Sequence, residues 1–364
     1  MTGARLTVRA IRARAVEVPM RHVLGTSQAA VRAAPLLLVD LETEEGITGR
    51  AYLFCYLPAS APGIVAILAE IERLTQGERV APLDAWKKLA RRFTLVGVQG
   101  IVRMAMSAFD VACWDALAIA AGQPLAALLG CAPRPVRAYN SNGLGLMEPG
   151  PLADEAEELL EGGFEALKLR LGYPTLAEDL AALRAVRKRV GGSVAIMVDY
   201  NQALSVAEAL ERGRALDGEG IAWLEEPIRH DDYAGAAKLT RSLATPVQIG
   251  ENFSLPYGME QALEAEACDL VMPDLERIGG VTGWQRAAAL AAARGIGMSS
   301  HLFPEVSVHL LCATPTAHWL EYVDWAAPIL AEPLRIVDGM AIPPERPGCG
   351  LAWDEDAVAR YRIA

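Results

Sequence analysis

The chain has 364 residues, 52% of them hydrophobic and 22% charged, which excludes a disordered tail, a collagen-like fibre and a small disulfide scaffold. That length predicts two domains, or one large domain with an attachment, and a sizeable buried core. The 34 basic against 45 acidic residues give a net charge of −11, with no block of like charge, so nucleic acid is not expected as a partner.

Along the chain, Thr7–Val18 and Pro35–Leu41 read as strands, and Arg5, Arg9, Arg12 and Arg14 alternate with apolar residues as one wet strand face. Glu44-Glu45-Gly46 is a turn before a returning strand over Ile47–Phe54. Helical patterns follow over Ile64–Leu74, Asp84–Phe93 and Gly100–Ala121. Strands first and helices after predict an α+β unit over residues 1–134, which ends in a proline- and glycine-punctuated stretch. The apolar run Met104–Ala121 contains Asp110 and Asp115 and suits a buried helix better than a membrane span.

From Pro135 the pattern changes. Eight strand-like runs are predicted: Val136–Asn140, Ala166–Leu171, Val194–Tyr200, Ala222–Glu225, Val247–Gly250, Leu270–Pro273, Ile296–Ser300 and Trp319–Tyr322. Helix candidates lie between them at Pro151–Glu161, Leu176–Val190, Val206–Leu216, Tyr233–Leu243, Tyr257–Glu266 and Val281–Arg294. Alternation of this kind favours parallel strands with helical crossovers, and eight strands favour a closed barrel over an open sheet. No Gly-x-Gly-x-x-Gly follows a strand, which disfavours a dinucleotide fold. The six cysteines show no zinc or redox spacing and read as reduced thiols. With no signal-peptide pattern at the N-terminus, a cytoplasmic protein is expected.

Each barrel strand ends in a charged or hydrogen-bonding residue: Ser141, Lys168 with Arg170, Asp199, Glu225, Glu251, Asp274, His301 and Glu321. From Asp199 onward they recur in steps of 20 to 27 residues, one strand and one helix at a time, so they belong on one barrel rim. Asp199, Glu225 and Glu251 come from three successive strands. Three carboxylates aimed at one point repel unless a cation sits between them, and oxygen ligands point to Mg²⁺. Glu226, the next residue along the strand from Glu225, is expected to point away. Asn201 could face the same mouth. Asp274 beside His301 would fix the imidazole tautomer and raise its basicity, making His301 a candidate general base or acid. Lys168 and Arg170 share a strand face, and two adjacent cations would lower the lysine pKa.

The runs Val198-Asp199-Tyr200-Asn201-Gln202, Leu224-Glu225-Glu226-Pro227, Gly250-Glu251-Asn252, Met272-Pro273-Asp274, Ile278-Gly279-Gly280-Val281-Thr282-Gly283 and Met298-Ser299-Ser300-His301-Leu302-Phe303 resemble the mandelate racemase subgroup of the enolase superfamily. The resemblance is dense from Ala166 to Glu321, looser before it and weak after it. It implies a (β/α)₇β modified barrel over residues 135–325, an α+β cap over 1–134 and a segment 326–364 returning to the cap. It implies Mg²⁺ on Asp199, Glu225 and Glu251, and abstraction of the proton α to a carboxylate to give a metal-stabilised enediolate. Asp274 and His301 would form the base on one face, and Glu321 would be a protonated acid bonded to the substrate carboxylate. Ser141 and Asn201 would contact substrate. Phe54, Tyr56 and a loop over Arg21–Ala33 would close over it, with Val23, Leu24 and Val31 as apolar and Arg21, His22, Ser27, Gln28 and Arg32 as polar candidates. A homo-oligomer, an octamer or smaller, is also implied.

One position departs from the subgroup. Its Lys-x-Lys, whose second lysine is the base opposite histidine, is here Lys168-x-Arg170. Arginine has a pKa above about 12 and is almost never neutral at pH 7. Three readings are open: a dehydratase of acid sugars in which His301 is the principal acid/base, a racemase of a 2-hydroxy acid using Lys168 or an activated Arg170, or a catalytically silent carboxylate binder.

Overall fold

The computed structural model describes residues 5–27 and 29–363. Gln28, a candidate polar contact, lies outside them. The chain opens with an antiparallel sheet of β1 (Val8–Gly25), β2 (Ala30–Thr43) and β3 (Thr48–Phe54) in the order β1-β2-β3. α1 (Ala61–Thr75) and α3 (Gly100–Ala120) pack on it, with α2 (Pro82–Arg92) against α3; a short α4 (Leu125–Leu128) follows. The arginine stripe of β1 is its outer face, where Arg9 and Arg12 pair with Glu42 and Arg14 pairs with Asp40 on β2. Residues 21–33, expected as a loop, are mostly strand. Leu24 pairs with Val31 and Gly25 with Ala30, so β1 and β2 extend as a hairpin ribbon.

The sheet packs on α3 at Gly49. A Cβ there would meet the Ala112 carbonyl oxygen and come within 2.8 Å of Ala116 Cβ. The expected result for Gly49→Ala is therefore a loss of about 1–3 kcal/mol from overpacking, read from the urea unfolding midpoint.

The second body starts with β4 (Val136–Asn140). It continues through α5 (Pro149–Glu158), β5 (Ala166–Arg170), α6 (Leu176–Val190), β6 (Ala195–Asp199), α7 (Val206–Leu216), β7 (Leu224–Glu225), α8 (Tyr233–Ser242) and β8 (Val247–Ile249). Next come α9 (Leu255–Glu264), β9 (Leu270–Val271), α10 (Leu275–Ile278), α11 (Gly280–Arg294), β10 (Gly297–Met298), α12 (Pro304–Cys312) and β11 (Leu320–Tyr322). The eight strands pair in parallel from β4 to β10, and β11 pairs with β4. Ser300 N donates to Trp319 O and His318 N to Met298 O, which closes the circle between β10 and β11. This is a (β/α)₇β barrel beside an α+β cap. The ladders are shorter than the apolar runs in the sequence: β7, β9 and β10 span two residues each and β8 three.

The last segment divides its contacts. A hairpin of β12 (Arg335–Val337) and β13 (Met340–Ile342) pairs with the start of β4 and pads the barrel. The chain beyond this hairpin reaches the cap. Cys349 N donates to Asp115 on α3, Trp353 Nε1 to Asp40 on β2, and Ile363 N to Ala15 O on β1, after α13 (Glu355–Tyr361).

Cap and barrel also meet through buried carboxyls. Asp110 on α3 accepts from Thr282 N and Oγ1 on α11, and Glu305 on α12 accepts from Tyr52 OH on β3. Burial pushes both up to about 7. An unfolded aspartate titrates near 3.9, so the Asp110 contribution is complete below about pH 4 and is lost as pH rises through 7. The stability of the wild type relative to Asp110→Asn is expected to be greater at pH 5 than at pH 8 in paired urea melts.

All six cysteines are unpaired. Among the described residues no helix is long and apolar enough to cross a membrane.

Candidate active site

The strand ends converge at the C-terminal mouth of the barrel, under the β1–β2 ribbon. Asp199, Glu225 and Glu251 place carboxylate oxygens within 4.8 Å of one another. Each is oriented by a neighbour. Asn201 N and Nδ2 donate to Asp199 at 2.8 and 3.0 Å, Trp223 Nε1 donates to Glu225 at 2.9 Å, and Asn252 Nδ2 donates to Glu251 at 3.1 Å. Three oxygen donors this close, two of them buried and Glu251 half-buried, fit a hard divalent ion such as Mg²⁺. Glu226 is not a fourth member. Its backbone turns into the left-handed region at φ 32°, and its buried carboxylate accepts from Asn252 Nδ2 at 2.8 Å. It leaves the mouth as expected, but braces the residue beside Glu251 rather than reaching solvent.

Across the mouth, His301 Nδ1 lies 2.6 Å from Asp274 Oδ2, and the two residues are bridged through their backbones. Asp274 Oδ1 accepts from Glu276 N and Arg277 N, so the residue that orients the imidazole also caps α10. The free Nε2 points to Glu251 Oε2 at 3.2 Å and lies 3.9 Å from Glu321 Oε2. Burial opposes protonation, but Glu251, Glu321 and the Asp274 hydrogen bond raise the imidazole well above its ordinary value.

Lys168 differs from the expectation drawn from Arg170 alone. Its Nζ is 2.6 Å from Glu321, 2.8 Å from Glu225 and 3.4 Å from Asp199. Burial favours the neutral amine, but these three carboxylates outweigh burial and Arg170 together, and the pKa is raised. Glu321 departs from expectation in the same way. Burial pushes it up, but Lys168 and His301 pull it down to about 2, and it accepts from Leu302 N at 2.7 Å.

Arg170 is fixed by its surroundings. Nη1 donates to Gly143 O at 2.7 Å, and Nη2 to Ser141 O and Oγ, both at 3.0 Å. Its Nε is buried without a partner. Ser141 does not line the cavity; fully buried, it donates from Oγ to Glu321 at 2.8 Å and supports the site from behind.

A cavity of about 350 Å³ opens over these groups. Lys168, Arg170, Asp199, Asn201, Glu251, His301 and Glu321 form its floor, and the cap side is apolar: Leu24, Val31, Phe54, Tyr56 and Leu57. Phe54 stacks between Tyr56 at 4.6 Å and Trp325 at 5.0 Å between ring centroids. Of the ribbon candidates, Leu24 and Val31 line the cavity, whereas Arg21 and His22 face Glu158 outside it. Trp325 and Arg277 were missed. Trp325 lies just past β11, and Arg277 in the first turn of α10, where its guanidinium covers the Tyr56 ring at 4.5 Å. Tyr56, Asn201, Gln202, Leu302 and Phe303 all have positive φ. Backbone strain of about 1–3 kcal/mol per residue is tolerated where surrounding structure over-determines it, and here it rings the mouth.

Residues 9–130 match the N-terminal domain model of mandelate racemase / muconate lactonizing enzyme, and residues 151–357 match the enolase C-terminal domain-like model. The L-talarate/galactarate dehydratase of Salmonella typhimurium is 33% identical over 347 residues, spanning 94% of this chain and 86% of its own. The 3,6-anhydro-alpha-L-galactonate cycloisomerase of Streptomyces coelicolor is 31% identical, spanning 90% and 91%. Among solved structures, an enolase from Bradyrhizobium complexed with magnesium and mandelic acid superposes with TM-score 0.96 at 39% identity, over 100% of both chains. An enolase from the alpha-proteobacterium bal199 with bound magnesium gives 0.97 at 47%, over 98% and 100%. With both domains matched in order and the carboxylates, dyad and cap in place, this chain belongs to the mandelate racemase / muconate lactonizing enzyme family of the enolase superfamily.

Proposed function

We propose that the protein is a Mg²⁺-dependent lyase that takes the α-proton of a 2-hydroxycarboxylate at His301 and completes the dehydration of an acid sugar. The observation that carries this is the asymmetry of the mouth. β5 and β10 stand three strands apart one way round the barrel and five the other, so Arg170 and His301 lie across the cavity from each other. His301 carries an oriented imidazole, whereas Arg170 is a fixed cation spent on carbonyl oxygens. One face has a base and the other has none.

Asp199, Glu225 and Glu251 would hold the ion, which supplies positive charge against the substrate carboxylate as electron density builds on it. His301 Nε2 receives the C2 proton while Asp274 holds Nδ1. The C2–H pair becomes the C2–C3 double bond, the C3–O bond breaks, and the proton returns from His301 to the departing oxygen as water. The enol then becomes a 2-keto-3-deoxy acid. Lys168 and Arg170 set two cations into a carboxylate-rich floor, where they would face an anionic substrate.

The test is proton NMR in D₂O with Mg²⁺ and a panel of acid sugars. Loss of the α-proton with new 3-deoxy methylene signals is the expected result; inversion of both mandelate enantiomers with no keto acid would replace it by a racemase. That second reading has one observation in its favour, the apolar wall of Leu24, Val31 and Phe54 from the cap and Trp325 from the barrel, which suits an aromatic acid. Absence of exchange from every substrate, with Mg²⁺ bound, would leave a silent binder.

Arg170→Lys separates the two faces. It restores an amine that can lose its proton, so exchange of the stereoisomer that the wild type leaves untouched is expected to appear. The His301-face rate should stay within about tenfold, since its base and orienting carboxylate are unchanged. Exchange of each isomer by NMR checks this.

A further inference from the structure

A second, larger cavity lies beside the mouth, where the N-terminus of α3 meets the loops before α8 and α9. It is open to solvent and measures about 1150 Å³. Val98, Gln99, Gly100 and Arg103 line it from the cap, and His230 and Tyr257 from the barrel. Arg103 is only 9% exposed. Among the described residues no hydrogen bond or ion pair reaches its guanidinium, and its Nε is buried without a partner. Asp274 and Glu276 act on it only from a distance, and a buried cation is normally paired directly, so a guanidinium without a bonded partner marks a place that an anion can fill. The second observation is the helix itself. α3 has 21 residues, and its N-cap residue, Gln99, offers no side-chain hydrogen bond to the first turn. Uncapped N–H groups and the positive end of a long helix attract an anion. Of the acidic side chains in the wall, Asp231 is paired with Arg229, while Glu264, the last residue of α9, has no ion-pair partner among the described residues and is the one carboxylate there that opposes an anion.

We propose that this cavity is an anion-binding site, separate from the catalytic mouth, in which Arg103 and the N-terminus of α3 hold the oxyanion of a small phosphorylated or carboxylated metabolite. The volume exceeds what a bare phosphate fills and leaves room for the rest of such a ligand. The cavity touches the catalytic centre at two points. Asn252, the partner of Glu251 and Glu226, lines both cavities, and His230 bonds at 3.0 Å to Gln202, which lines the mouth. An occupant would therefore sit against residues that position a carboxylate of the mouth.

The experiment uses the full chain loaded with Mg²⁺ and titrates inorganic phosphate by calorimetry, with malonate as the carboxylate arm. Saturable binding is expected in at least one arm, which identifies the ligand chemistry, and it should persist when mandelate occupies the mouth. Arg103→Gln should weaken it tenfold or more, and Arg103→Lys less. Gln99→Asp supplies a capping carboxylate where the anion would sit, so it should weaken binding while preserving the helix, and it decides the matter if Arg103→Gln fails to fold. No saturation in either arm, displacement by mandelate, or affinity unchanged in both Arg103→Gln and Gln99→Asp would overturn the proposal.

Discussion

His301→Asn is expected to lower the rate of α-proton exchange by about 10²–10⁴-fold, the usual contribution of a positioned base, while leaving Mg²⁺ affinity within a few-fold. The two effects separate because His301 lines the cavity and Asp274 stands behind it, and the neighbours Glu251 and Glu321 keep their other partners when the imidazole is gone. Asp274 provides the control. Asp274→Asn retains an oxygen to cap α10, yet presents the imidazole with an amide in place of a charge. It should lose exchange without losing much stability. Asp274→Ala should lose both, since the cap on Glu276 N and Arg277 N is worth about 0.5–2 kcal/mol. Exchange is read by NMR in D₂O, metal affinity by calorimetry and stability by urea melts. Exchange in His301→Asn at the wild-type rate would remove His301 from the chemistry and with it the one-sided base.

Much of this site was legible in the sequence, because a barrel turns order along the chain into order around a rim. A polar residue after each short apolar run was enough to gather Asp199, Glu225, Glu251, Asp274, His301 and Glu321 at one mouth. What the sequence hid was charge balance between strands. Arg170, two residues from Lys168, suggested a depressed lysine pKa; the carboxylates that decide otherwise come from β6, β7 and β11, up to 153 positions away. The same blindness hid Lys168 and His301 as neighbours that lower the Glu321 pKa. The ribbon was misread for another reason. Residues 21–33 mix polar and apolar types without strict alternation, because a ribbon extending past the sheet has no constantly buried face to enforce a period of two. Trp325 and Arg277 carried no local signal: one follows a strand end, the other sits in a one-turn helix, and only tertiary contacts place them, Trp325 against Phe54 and Arg277 over Tyr56 and on Glu251 O and Asn252 Oδ1.

Lys168→Met is expected to destabilise the metal-free protein by about 3–5 kcal/mol, the cost of removing one partner from a buried ionic cluster. Glu225, Glu321 and Asp199 are all fully buried, and among the described residues Lys168 is the one cation within 4 Å of all three. Without it their mutual repulsion must be relieved by proton uptake or by opening the mouth. Mg²⁺ offers a different relief at two of the three, since Asp199 and Glu225 belong to the carboxylate triad as well. Saturating Mg²⁺ should therefore shrink the stability gap between variant and wild type, and the variant should bind the ion more tightly, because the ammonium that competes for the same oxygens is gone. Exchange activity should fall despite the tighter metal, as the floor loses a cation that faces the anionic substrate and holds Glu321. Urea melts with and without Mg²⁺ test the linkage. A gap that Mg²⁺ leaves unchanged would mean that lysine and metal do not share these oxygens, and that the triad is not the ion's site.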